Sequence, residues 1–158
     1  MLGLRFAKLI ELHSKSLADE LVHRLHSSER TRAFRDIPTY ELKDDIHELY
    51  QHLSDWLATK TEVDVRRREY KIGHYRAQQH IPVEQFLWAL ILSKEVVFEF
   101  LRREAVAEGP LELISELEFL RTLDSFFDRA MYHAICGWVQ PLKAEEDEIR
   151  KGVLGLPT

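Results

Sequence analysis

The chain has one cysteine in 158 residues, six glycines, five prolines and no apolar run longer than the seven residues from Phe86 to Leu92. A single thiol, Cys136, excludes an internal disulfide and any cysteine-cluster metal site, and it fits a reducing compartment. Sparse glycine and proline favour long helices over short strands joined by turns. Seven apolar residues fall far short of the ~20 that span a bilayer, so membrane insertion is not expected. A basic surplus is also missing: 22 Lys and Arg stand against 27 Asp and Glu, a net charge of −5. That balance argues against nucleic acid as a partner. Met1 to Lys8 carries no apolar targeting core or small-residue cleavage site. The expected location is the cytoplasm.

What is present describes an ordered helical protein. Hydrophobic residues make up 45% and charged residues 31%, a globular balance. A chain of this length buries on the order of 68–70% of its unfolded surface and needs no metal staple. Phe6, Leu9, Ile10, Leu17, Leu21 and Leu25 recur at helical spacing between Gly3 and Ser28, as one helix or as two, with Ser16 and Asp19 as a second cap. Ser27 to Ile37 reads as a polar loop. Leu42, Ile46, Leu49, Tyr50, Leu53, Trp56 and Leu57 form one stripe of a single helix with Thr39 as its N-cap.

Thr61 caps a third helix to about His80, with a thin apolar face of Val63, Tyr70, Gly73 and Ala77. Lys60 to Arg76 holds six basic and three acidic side chains, a local +3 that includes Arg66, Arg67 and Arg68. Ile81 before Pro82 marks a boundary. The fourth helix, Val83 to about Ala107, is apolar nearly all round, which places it in the core or against a second chain. Gly109-Pro110 ends it. A fifth helix runs from Leu111 to Val139 with a stripe of Leu113, Leu117, Leu120, Leu123, Phe126, Phe127, Met131, Ala134 and Trp138, and Pro141 ends or kinks it. The expected fold is an all-α single-domain bundle of about five or six helices over residues 1–142. Residues 143–158 form a charged C-terminal extension or the start of a linker.

Motifs for catalysis are missing. There is no Gly-x-Ser-x-Gly, no phosphate-cradling glycine loop and no dinucleotide fingerprint. Eight histidines invite a metal reading, but His23 and His26 have no evident third ligand, and His47 and His52 are five apart, roughly 140° around a helix. Cys136 with His133 three residues back fits a small buried hydrophobe better than a reactive pair. The residues predict no enzyme, no metal and no cofactor. The arginine run reads first as a solvated face that pairs with the acidic face of the second helix, and second as a docking patch.

The stretch Ile72-Gly73-His74-Tyr75-Arg76-Ala77 through His80-Ile81-Pro82-Val83-Glu84 to Ala89 resembles the pattern L-G-x-x-R-A-x-x-G-I-P-L-E-E-L-L-x-A of the RsbRD N-terminal domain family. These are input domains of bacterial RsbT co-antagonists in the stressosome. His80 stands where the family has glycine. The resemblance implies a sensor domain that is distantly globin-like. In the globin-coupled sensors the haem-ligating segment reads H-x-R-I-G-L-x-P, and aligning its Gly-Leu with His80-Ile81 puts Arg76 at the ligand position. An always-charged guanidinium cannot ligate iron. The resemblance therefore implies a non-haem domain, with His74 or His80 as iron ligand in the rival haem or ligand sensor. A third reading is a helical adaptor with no signal input.

The leading expectation is a non-enzymatic signalling input domain that works through helix packing and protein contacts. It comes as a stand-alone protein or as an input domain excised from a longer chain. A homodimer is expected, with Trp88, Phe98 and Trp138 as interface candidates and Arg66, Arg67 and Arg68 as docking residues. The partner implied is a downstream or separate signalling protein, a kinase or a STAS-type protein.

Overall fold

A computed structural model describes residues 3–104 and 109–153. All regular structure among them is helical: α1 (Gly3–Leu12), α2 (Ser14–Ser27), a 3-10 helix (Glu29–Asp36), α3 (Thr39–Gln51), α4 (Leu53–Ala58), α5 (Glu62–Gln78), α6 (Val83–Glu104) and α7 (Pro110–Val153). The all-α expectation holds. Helices exceed the expected five or six because two stripes break where the apolar pattern does not.

The first break is at His13, whose φ of −103° and ψ of 16° leave the helical region between α1 and α2. Its ring Nδ1 lies 3.0 Å from Leu9 O. Ser16 is not a cap; its hydroxyl donates back to His13 O at 3.0 Å. The second break is at His52 (φ −115°, ψ 28°), which splits the expected single helix into α3 and α4. The carboxylate of Glu11 on α1 takes up the freed Ser54 N–H at 2.7 Å. Both stripes stay inside regardless. Ile10, Leu17, Leu21 and Leu25 are buried, as are Leu42, Leu49, Tyr50, Leu53 and Trp56. Thr39 lies inside α3 behind Pro38 and makes no capping bond.

The expected loop after Ser27 is the 3-10 helix. Polar composition concealed two buried anchors, Thr31 and Phe34. The Thr31 hydroxyl donates to Leu25 O at 2.7 Å, and Gln85 Oε1 of α6 accepts the Ala33 N–H at 2.8 Å.

Thr61 caps α5 through a reciprocal capping box with Asp64. At the other end His80 takes φ 61°. The His80 N–H reaches Ala77 O at 3.0 Å and the Ile81 N–H reaches Arg76 O at 3.1 Å. That pair of bonds is a Schellman closure, which normally has glycine at the left-handed position. The turn before Pro82 is thus the one a glycine would make, held by a histidine.

α6 is central, with Phe86, Ala89, Leu92, Val96, Val97, Phe100 and Leu101 buried. α5 lies closest to α7, and two glycines allow it. A Cβ on Gly73 would sit 1.8 Å from Ala134 O, and one on Gly137 would sit 2.1 Å from Tyr70 O. The two backbones therefore touch on both sides of one crossing. α7 continues through Pro141 to Val153, correcting the expectation that the helix ends there. Proline lacks the N–H that would bond the carbonyl four residues back, which is that of Gly137. The N-terminal turns of α7 are also corrected: Leu113 and Leu117, expected in the core, are 49% and 58% exposed, beside exposed Leu111 and Ile114.

Candidate functional site

The buried face of α5 is not the one its apolar residues suggest. Val63 is exposed, and the buried positions are Val65, Glu69, Gly73 and Arg76, a helical i, i+4, i+8, i+11 series. Two charges therefore face the core. Glu69 and Arg76 are 4% and 5% exposed.

They line a cavity of about 90 Å³. Leu21 and Leu25 of α2, Phe34 of the 3-10 helix, Leu42 and Leu49 of α3, Phe86 and Ala89 of α6 and Phe127 and Ala130 of α7 supply the apolar walls. Asp45, Arg68, Glu69 and Arg76 form the polar side.

Arg68 is fully engaged. Its Nε donates to Glu48 at 3.2 Å, one terminal nitrogen donates to Glu69, and the other to Asp45 O. Arg76 is not. One nitrogen donates to Gln79 Oε1 at 2.7 Å, and the closest carboxylate oxygen, Asp45 Oδ2, stands 4.0 Å away. The guanidinium lies 5.8 Å from the Phe34 ring centroid. Burial pulls its pKa down from the usual arginine value, with Asp45 and Glu41 opposing. Burial likewise pushes the Glu69 carboxyl above the ordinary carboxylate range, against the pull of Arg68. The guanidinium thus has one hydrogen bond, to a neutral amide, with the Phe34 and Tyr75 rings beside it and no carboxylate in direct contact.

The residues singled out from sequence are dispersed. His74 is half-buried and His80 exposed, and neither lines the cavity, whereas Arg76 does. A 90 Å³ space is also far below the ~300–1,000 Å³ of sites for larger ligands. Trp88 is half-buried against the core, with the Arg30 guanidinium 4.4 Å from its ring centroid. Trp138 is half-buried and donates its indole N–H to Ile81 O at 2.8 Å. Phe98 is half-buried and lines a separate groove of about 430 Å³ with Phe6, Leu101 and Leu120. Arg66 and Arg67 are exposed, while Arg68 folds inward. The acidic face of α3 does meet α5: Glu41 accepts from Tyr75 Oη at 2.5 Å and from Gln79 at 2.9 Å, and Glu48 pairs with Arg68. Among the described residues no group of three or more His, Cys, Asp or Glu side chains is placed to hold a metal.

Sequence reasoning missed the Glu69–Arg76 pair as a site. The signal was available: the two are seven residues apart on the face that carries Gly73, and Arg76 had already been aligned with a ligand position.

An all-helical domain with a cavity whose polar side comes from α3 and α5, and with a long last helix, defines the class. Its family is narrower. The chain belongs to the RsbT co-antagonist protein rsbRD N-terminal domain family, whose model matches residues 15–140. At family level it is a stressosome-type signalling input domain. No curated protein and no solved structure matches the chain.

Proposed function

We propose that this chain is a non-enzymatic input domain that passes a change in core packing to a protein partner along α7. The observation that carries the reading is the continuity of α7. It forms the crossing with α5 inside the family-matched region and runs on past residue 140 to Val153. Gly73 and Gly137 make that crossing backbone-tight, so a shift of α5 has no side-chain cushion to absorb it. The freed carbonyl of Gly137 gives α7 a local weak point there. The partner is a STAS-type protein or its kinase, met in the cytoplasm. No helix among the described residues is long and apolar enough to cross a membrane.

The test is co-elution of the full chain with a STAS-type partner and its kinase, beside a variant with one alanine inserted after Gln140. One residue rotates everything beyond it by ~100° and leaves the α5–α7 crossing at Gly73 and Gly137 in place. The insertion is expected to keep the melting temperature and to change partner response. Equal response in both forms would remove α7 as the transmission element.

A further inference from the structure

We propose that the cavity beside Arg76 binds a short-chain monocarboxylate, with the carboxylate on the Arg76 guanidinium and the alkyl tail against the apolar walls. The argument begins with the contrast between two arginines. Arg68 uses all three nitrogens on Glu48, Glu69 and the Asp45 carbonyl. Arg76 is as deeply placed as the core leucines, yet it makes one side-chain hydrogen bond, to a neutral amide, and its carboxylate neighbour is 4.0 Å off. A guanidinium removed from water gains most from an anion that matches its planar fork, which a carboxylate does. Glu69 does not fill that role, because its hydrogen bond comes from Arg68.

The remaining surface decides the rest of the ligand. The apolar lining includes Phe34, Leu49, Phe86 and Ala89, none of which offers a side-chain hydrogen bond. Ser93, also on the wall, directs its hydroxyl to Leu90 O at 2.6 Å. A phosphate or sulfate would meet too few donors there, whereas a tail of two or three carbons loses only water. A cavity of ~150 Å³ holds benzene, so about 90 Å³ takes roughly three to five heavy atoms, the size of acetate or propionate. The polar end is the accessible one, since the Asp45 side chain there is 53% exposed. The binding is a property of the cavity; only its use as an input signal rests on the signalling role proposed above, and the experiment reads binding alone.

The full chain is titrated with sodium propionate, propionamide and sodium chloride at matched ionic strength, followed by thermal melting and by line broadening of the propionate methyl resonance. Propionate is expected to bind saturably in the millimolar range set by so few atoms, and propionamide and chloride not to. Arg76→Gln is expected to weaken propionate by about tenfold or more, the usual loss with a charge-assisted pair. Asp45→Asn removes the competing anion and is expected to tighten it. Ala89→Leu adds volume from the apolar lining while leaving Arg76 in place, and decides the matter if Arg76→Gln does not fold. It is expected to abolish binding in a protein that still melts cooperatively. Equal effects of propionate and propionamide or chloride, no saturable binding into tens of millimolar, or full propionate affinity in folded Ala89→Leu would each overturn the assignment.

Discussion

At the scale of single residues, burial separates side chains that look alike in sequence. Arg66, Arg67 and Arg68 are consecutive, yet only Arg68, 15% exposed, turns inward to the 5% exposed carboxylate of Glu69. Reversal of Arg66 and Arg67 to Glu is expected to cost well under ~1 kcal/mol, as for exposed charges generally. Arg68→Glu strands Glu69 beside a second carboxylate and is expected to cost about 3–5 kcal/mol. Chemical denaturation of the two variants in parallel checks the contrast; a small loss in Arg68→Glu would mean that Glu69 finds water. A triple reversal would therefore mix a docking effect with a folding defect. His80 is the converse case. Sequence flagged it as a histidine where the family has glycine, and it occupies the left-handed conformation at φ 61°. Glycine adopts that geometry without the Cβ clash. His80→Gly is expected to stabilise the fold by about 1 kcal/mol, the cost of a left-handed L-residue less the extra chain entropy of glycine. A lowered melting temperature would show that the imidazole contributes more than its backbone costs.

At the scale of elements, periodicity identified the buried stripes of α1 to α4 but not where axes turn, and it misplaced Val63 of α5 and Leu113 and Leu117 of α7. The Leu42–Leu57 stripe stayed in register across the break at His52 because both α3 and α4 pack on the same core. The 3-10 helix looks like a loop in the sequence because two buried residues among five charged neighbours and one alanine give no period. The α5–α7 crossing was invisible for a different reason: Gly73 and Gly137 are distant in sequence, and nothing local marks them as partners. Each sits within a helix interior, where replacing glycine by alanine ordinarily gains up to ~1 kcal/mol in propensity. Here the added methyl meets backbone at 1.8 Å and 2.1 Å, which cannot yield as a side chain would. Gly73→Ala and Gly137→Ala are each expected to lose about 1–3 kcal/mol net, the range for overpacked interiors. The double variant is expected to lose less than the sum, since the first methyl already parts the helices. Additive losses in a double-mutant cycle would place the two glycines in separate contacts.

At the scale of the whole molecule, the all-helical class and the family were legible because they depend on the sum of many weak signals. The cavity was not, because it depends on where six separate helical elements leave space. Quaternary structure follows from what stays uncovered. The near-continuous apolar character of α6 suggested a shared helix, but most of it is covered within one chain. Trp88 and Trp138 are likewise occupied, by Arg30 and by Ile81 O. Among the described residues, exposed apolar side chains gather on the first turns of α7, where Leu111, Leu113, Ile114 and Leu117 are 78%, 49%, 54% and 58% exposed. A cluster of that kind on one helix marks an interface more often than an isolated exposed leucine does. The proposed homodimer is therefore expected to depend on these residues. Leu113→Glu with Leu117→Glu should convert a dimer to a monomer of 18.7 kDa in light scattering. Because both side chains are exposed in the single chain, thermal stability extrapolated to low protein concentration should change little. Trp88→Ala should do the reverse, lowering stability with no specific effect on the association state. A wild-type monomer at all concentrations would remove the dimer, and a dimer that survives the double glutamate would move its interface elsewhere on the surface.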